Sequence, residues 1–176
     1  MSHVFPRHTK NLPPKAVGGE GCYLFDADGK RYFDGSGGAA VSCLGHGDQT
    51  VIDAMHRQID DLAYAHTGFF TSEPAEQLAS LLADKAPGDL NRVYFVSGGS
   101  EAVEAALKLA RQYFLEIGEE SRYRLIARRQ SYHGNTLGAL AAGGNGSARQ
   151  RYRDQPSHRS HLTPAGRVRG VPPAYR

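Results

Sequence analysis

The chain has 176 residues, 40% of them hydrophobic, which suits one globular domain with a packed core. No apolar run reaches the roughly 20 residues of a membrane-spanning helix, and Met1-Ser2-His3-Val4-Phe5-Pro6-Arg7-His8 lacks the apolar centre of a signal peptide. The net charge of +3 is uneven: residues 1–145 carry 14 Lys and Arg against 17 Asp and Glu, whereas 146–176 carry 7 Arg against Asp154 alone.

Cys22 and Cys43 form neither a CxxC pair nor a disulfide framework, so reduced thiols and a cytoplasmic location are expected. Residues 1–20, polar and containing Pro13-Pro14 and Gly18-Gly19, predict an extended arm. A hairpin is predicted over Gly21–Phe33, with Tyr23-Leu24-Phe25 pairing with Arg31-Tyr32-Phe33 across Asp26-Ala27-Asp28-Gly29. Asp34–Gly38 reads as a loop. After Gly45-His46-Gly47-Asp48, the residues Val51, Ile52, Met55, Ile59 and Leu62 recur at helical spacing. A second helix starts near Thr71-Ser72-Glu73-Pro74, where a hydroxyl cap precedes proline in the first turn. Ala75, Leu78, Leu81 and Leu82 form its apolar face, and Pro87-Gly88 ends it.

Arg92–Val96 reads as a strand, followed by a glycine turn and a helix from Glu101 to about Ile117. Val103, Ala106, Leu107, Ala110, Phe114 and Ile117 predict a wide buried face for that helix. Tyr123–Ala127 reads as a second strand, ending at Ser131-Tyr132-His133-Gly134. Strand–helix–strand at this spacing predicts a parallel βαβ unit with both turns at the carboxyl edge of the sheet, where ligands collect.

The first of those turns has the makings of an anion cradle. Gly98 and Gly99 allow close approach of the backbone, the first N–H groups of the helix are free, and Ser100 adds a hydroxyl at the positive end of the dipole. It is not a Walker A loop, and the dinucleotide pattern Gly-x-Gly-x-x-Gly is absent. On the turn alone, phosphate binding and a plain tight turn capped by Ser100 are equally compatible with the sequence.

After Asn145 the chain changes character. Leu162, Val168 and Val171 are the only Val, Leu, Ile or Phe residues over 146–176, and no periodicity appears, which predicts disorder. A nucleic-acid-binding arm is the rival reading, set aside because nothing in the body points to such a fold. His158 and His161 have a metal-helix spacing but lie outside any helical pattern, so no metal site is expected.

Taken together, Tyr94-Phe95-Val96-Ser97-Gly98-Gly99-Ser100-Glu101-Ala102 and Ser131-Tyr132-His133-Gly134 resemble the class III aminotransferases. These are the ornithine and ω-amino-acid type within fold type I of the pyridoxal-phosphate enzymes. Leu24–Asp34 is similar to the family's opening hairpin, and Gly45-His46 with the helix after it resembles the next element. The resemblance covers about residues 21–145.

It implies an α/β fold: an incomplete three-layer αβα cofactor domain over 46–145, an arm and hairpin of the small domain over 1–45, and an aberrant tail over 146–176. It implies pyridoxal 5′-phosphate as cofactor, with Gly99 and Ser100 holding the phosphate, Tyr132 laying its ring on the pyridine face and His133 beside it. Glu101 and Glu104 are read as partners of their own helix dipole. The implied reaction moves an amino group from an amino acid or amine to a 2-oxo acid, in a homodimer when the protein is complete, with no nucleic-acid or membrane partner. A class III aminomutase or decarboxylase, or a non-catalytic truncated product, is the alternative. The family often places a large aromatic residue shortly after its Ser-Gly pair. Here Ser36-Gly37 is followed by Gly38-Ala39-Ala40, which leaves the substrate open and makes Phe69 and Phe70 candidate lining or core residues.

Such chemistry needs a lysine for the Schiff base and an acid opposite the pyridine nitrogen, and the family supplies both after its Tyr-His-Gly turn. The lysines here are Lys10, Lys15, Lys30, Lys85 and Lys108. Lys108 falls about two turns into the cradle helix, so none is assigned as catalytic. The chain therefore reads as an N-terminal fragment, inactive alone, with a shifted reading frame near Asn145 preferred over a deliberate fragment. Weak stability is expected, since apolar helix faces and a sheet edge would lie uncovered.

Overall fold

The structure is a computed structural model that describes residues 2–7, 10–128 and 130–144, together with the backbone of 162–164. The elements are β1 (Ala16–Glu20), β2 (Tyr23–Asp26), β3 (Arg31–Phe33), α1 (Gly37–Ala40), α2 (Gln49–Asp61), α3 (Glu73–Lys85), α4 (Gly99–Glu116), β4 (Leu125–Ala127), α5 (Leu137–Ala142) and β5 (Leu162–Pro164). They divide into two compact units, Met1–Leu78 and Ala79–Arg176. The first unit includes the hairpin and α2. No helix among the described residues is long and apolar enough to cross a membrane.

In the first unit the hairpin forms in the expected register, Tyr23 opposite Phe33, Leu24 opposite Tyr32 and Phe25 opposite Arg31. Its turn is organised by Asp26, a buried carboxylate. Asp26 Oδ1 accepts from the Asp28 and Lys30 N–H groups at 3.0 and 2.9 Å, and Oδ2 accepts from the Tyr32 hydroxyl at 2.6 Å. An aspartate that bonds backbone donors two and four residues ahead fixes a tight turn by itself. The arm corrects the sequence reading. Ala16–Glu20 forms β1, antiparallel to β2, with a bulge between Ala16 and Gly18. Val17 is the only β-branched residue there, so the ladder to β2 makes this strand rather than its own propensity.

The predicted loop Asp34–Gly38 runs into α1 at its last two residues, one helical turn with positive φ at Gly37, Gly38 and Ala40. Left-handed backbone suits glycine and strains alanine. Asp34 ties this turn down: its carboxylate accepts from His46 Nε2 at 2.9 Å, the Ser42 hydroxyl at 3.1 Å and the Gly37 N–H at 2.9 Å. Helices α2 and α3 lie where periodicity places them, and Asp48 caps α2 by accepting the Val51 N–H at 3.1 Å. Neither helix contains a buried residue; Met55 is 59% and Ile59 61% exposed.

The Asp26–Tyr32 pair sets a pH expectation. The Tyr32 hydroxyl bond, aided by the backbone donors and opposed by burial, holds the Asp26 carboxyl below its ordinary range. The same bond pushes Tyr32 ionisation upward. Asp26 therefore stabilises the folded hairpin fully above about pH 4, and that contribution is lost as pH falls through its lowered value. Tyr32 contributes fully below about pH 10 and loses its share as pH rises through its raised value. His46, then Ser42 and the Gly37 N–H, lower Asp34 likewise, adding to the acid edge. Tyr32→Phe should move the acid transition of the hairpin up toward pH 4, followed through the Asp28 and Lys30 amide resonances. An acid midpoint unmoved by this substitution would reject the account.

The second unit departs further from expectation. Arg92–Val96 is not a strand: among the described residues no ladder partner pairs with it. A β-propensity run needs a hydrogen-bonded neighbour before it becomes a strand. The predicted βαβ pairing with Tyr123–Ala127 is accordingly not formed. Instead β4 pairs in parallel with β5, Leu125 opposite Leu162 and Ala127 opposite Pro164. Disorder, expected over the whole of 146–176, does not hold at Leu162–Pro164. A proline is tolerated at such a strand end, where its missing N–H is not needed by a further neighbour. The rest of that tail lies outside the described residues. Helix α4 matches its prediction in extent, but none of its residues is buried. Among the described residues of the unit, the buried apolar side chains are Ala139, Ala141 and Ala142 of α5.

Candidate functional site

The N-terminus of α4 is preceded by Gly98, whose extended backbone (φ −170°, ψ 166°) makes no side-chain cap. The Ala102 N–H reaches the Gly98 carbonyl at 3.0 Å. The N–H groups of Gly99, Ser100 and Glu101 have no carbonyl four residues back within the helix, so they are available to a ligand. A Cβ built on Gly98 or Gly99 would meet no atom within 4 Å. Nothing in the described chain requires glycine at these two positions, and the missing side chains leave open space over the helix end. Glu101, at the third helical position, folds back to accept the N–H of Ser97, the residue before the Gly98 N-cap, at 2.9 Å.

The second predicted turn meets the first at Ser100. Gly134 is buried, has φ 131°, and lies so close to Ser100 that a Cβ there would clash with Ser100 Oγ and stand 2.9 Å from its Cα and Cβ. The Asn135 N–H donates to Ser100 Oγ at 3.1 Å, and the Ser100 hydroxyl donates to Asn135 Oδ1 at 3.1 Å. Four residues along α4, Glu104 Oε1 accepts the Gly138 N–H at 2.9 Å. Glu104 thus serves the start of α5 rather than the dipole of its own helix. The Thr136 hydroxyl accepts from Ala139 N–H at 3.4 Å in the same first turn. At the base of the 131–144 segment, the Gly144 N–H bonds both the Ser131 carbonyl, at 2.9 Å, and its hydroxyl, at 3.1 Å.

Of the sequence-predicted site residues, Gly99 and Ser100 therefore open the helix, and Tyr132 and His133 immediately precede the glycine that touches Ser100. Both Tyr132 and His133 are exposed, Tyr132 by 77%. Phe69 and Phe70 are exposed as well. Asn135 and the Glu104–Gly138 contact are absent from the sequence reading. A Gly-Asn pair after His133 is the only hint the chain offers, and it does not name a partner 35 residues away. A recess of about 230 Å³ lies elsewhere on α4, lined by Leu107, Ala110, Phe114 and Leu125 with Arg111 and Arg122. The Arg111 Nη1 group donates to the Glu120 carbonyl at 2.8 Å and Arg122 Nε pairs with Glu119 at 2.8 Å. This is an uncovered apolar flank of the helix, and none of the turn residues that carry the anion cradle lines it.

Comparison with known proteins decides the family. The family model for aminotransferase class-III matches residues 4–167. The chain belongs to the class-III aminotransferases. The match runs beyond residues 21–145 at both ends, so the family likeness does not stop at Asn145 as the motifs alone suggest. An uncharacterized aminotransferase of Schizosaccharomyces pombe is 48% identical over 164 residues, 93% of this chain and 36% of that protein. An uncharacterized Bacillus subtilis aminotransferase is 46% identical over 86% of this chain and 34% of its own length. Among solved structures, an (S)-enantioselective ω-transaminase from Thermomicrobium roseum superposes with a TM-score of 0.81 at 34% identity, over 93% of this chain and 37% of that one. This class-III chain is thus α/β, carries part of the fold type I transaminase architecture, and spans about a third of the length of the curated relatives it matches.

Proposed function

We propose that this chain carries the phosphate-binding part of a pyridoxal-phosphate-dependent aminotransferase. The observation that carries the reading is the start of α4, where the N–H groups of Gly99, Ser100 and Glu101 have no helix partner and a Cβ on Gly98 or Gly99 would meet no atom within 4 Å. These residues fit the phosphate of pyridoxal 5′-phosphate. Gly99 and Ser100 would hold it through backbone N–H and hydroxyl, charge-assisted bonds stronger than neutral ones. Tyr132, exposed beside the cradle, would restrain the ring plane by stacking, with His133 shaping the same edge.

When bound, the cofactor supplies an electron sink for amino-group transfer. This chain's own residues bind and orient it. In the complete enzyme the donor is an amino acid or amine, the acceptor a 2-oxo acid, the assembly a homodimer and the location the cytoplasm. The 176-residue chain by itself is inactive in this reading, because no lysine lies beyond Lys108.

The test compares pyridoxal 5′-phosphate with pyridoxal, which lacks the phosphate, by titration calorimetry on the 176-residue chain. The phosphorylated form should bind at least about tenfold tighter, and Ser100→Ala should remove about tenfold of that preference, the scale of one hydrogen bond to a charged group. Equal affinity for the two compounds would sink the reading.

A further inference from the structure

The Ser100 hydroxyl poses a problem for its role. It has one proton, and that proton is committed to Asn135 Oδ1 at 3.1 Å while the oxygen accepts the Asn135 N–H at 3.1 Å. A hydroxyl in that state has only an acceptor lone pair left to offer, and a phosphate has no proton to give it. To donate to an anion, Ser100 must be released.

Asn135 carries the means of release. Its two amide ends have the same shape and opposite hydrogen-bonding character, and the terminal torsion that exchanges them has broad wells. Turned by half a revolution, the side chain presents Nδ2 to Ser100. The Ser100 oxygen then accepts from both the Asn135 N–H and Nδ2, and its own proton is freed. Two donors into one hydroxyl also polarise its O–H bond, strengthening what it gives to the next acceptor. We propose that Asn135 is a positioning residue of the cofactor site, switching the Ser100 hydroxyl between a self-satisfied state and a phosphate-donating state by an amide flip. The inference rests on the phosphate-site reading above.

The close packing of the turn supports it. Gly134 lies against the Ser100 Cα and Cβ with no room for a side chain, which fixes the Asn135 backbone N–H on the serine oxygen. Glu104 anchors the other side of the turn through Gly138. With the backbone pinned on both sides, the side-chain amide is the part left free to turn.

Asn135→Asp keeps the shape and the acceptor, removes the donor end so that the Ser100 proton stays locked, and adds a negative charge. The charge acts with or without Ser100, so the part of the loss due to the lock is the part that disappears in the S100A background. Pyridoxal 5′-phosphate should bind this variant at least about tenfold more weakly than the parent chain, with pyridoxal unaffected. Asn135→Ala removes both the Oδ1 that holds the Ser100 proton and the Nδ2 that polarises it, two opposed effects, so binding should change by no more than about threefold. In the S100A background, Asn135→Ala should change nothing, because Asn135 acts through the hydroxyl. Circular dichroism of each full-length variant checks that the chain is folded, and the isosteric aspartate variant retains the backbone contacts if the alanine variant does not fold. Parent-like affinity in Asn135→Asp, or an Asn135→Asp loss of equal size with and without Ser100, would overturn the inference alone. Failure of the parent chain to prefer pyridoxal 5′-phosphate over pyridoxal would overturn the phosphate-site reading and this inference with it.

Discussion

Replacing Gly134 with alanine is expected to destabilise the second unit by roughly 2–4 kcal/mol and to abolish the preference for the phosphorylated cofactor. Two effects combine. The φ of 131° belongs to a region that side chains rarely enter. The new Cβ would also clash with Ser100 Oγ and stand 2.9 Å from Ser100 Cα and Cβ, atoms fixed in the first turn of an 18-residue helix. The neighbour cannot step aside, so the turn must leave, and it takes Asn135 and Tyr132 with it.

Gly138→Ala makes the contrast. There the added Cβ would meet the Glu104 carboxylate at 2.5–2.8 Å, the far end of a flexible side chain that can swing away. The lost bond to the Gly138 N–H, about 1 kcal/mol, is offset by the better helix propensity of alanine, also about 1 kcal/mol. Urea unfolding should therefore show a large midpoint shift for Gly134→Ala and almost none for Gly138→Ala. Similar midpoints for both would contradict the close-approach argument.

Incubated with pyridoxal 5′-phosphate, an amino donor and a 2-oxo acid, the 176-residue chain should show no transamination beyond that of free cofactor. Enzymes of ordinary power accelerate their reactions at least about 10⁶-fold, so the expected loss is essentially complete. The reason is positional. Lys108 lies eight residues beyond Ser100 on α4, about 12 Å along the axis, too far for its amine to serve a group held at the helix end. Lys10, Lys15, Lys30 and Lys85 all precede the Tyr132–Gly134 turn, after which the family places its Schiff-base lysine. Borohydride reduction in the presence of cofactor, followed by peptide mass spectrometry, should find no labelled lysine. A label on any of the five would reject this prediction and assign the reactive amine at once.

The exposed apolar faces follow from how much of the fold the chain contains. Met55, Ile59 and Leu81 project from helices with no buried residue, Ile117 is half-exposed at the end of α4, and Tyr94 is largely open within the Arg92–Val96 run. The chain superposes on a transaminase over 93% of its own residues but only 37% of that protein. The helices keep their amphipathic pattern because it is written in the local sequence. The surfaces that pattern is suited to are not among the described residues.

Hairpin register, helix positions and the turns at Gly98–Ser100 and Ser131–Gly134 were legible because each depends on residues close in sequence. Asp26 bonds its own turn, alternation sets which face Leu24 and Tyr32 share, and Asp48 caps the helix that starts one residue later. The family likeness was legible for the same reason, since its landmarks are short runs around Ser100 and Tyr132. Other features were hidden because the decisive partner is remote. Ala16–Glu20 is a strand through β2, and Arg92–Val96 has no ladder partner among the described residues. Leu162–Pro164 joins a sheet although its own composition argues against it.

By itself, then, the sequence determined the local elements, the class-III character and the glycine-and-serine opening of α4. Only the tertiary structure decided what Ser100 does with its single proton. That proton goes to Asn135, 35 residues away, because Gly134 has no side chain and lets the two turns touch. Hydrogen bonds of that kind are set by which backbones approach in space, and no spacing along the chain announces them.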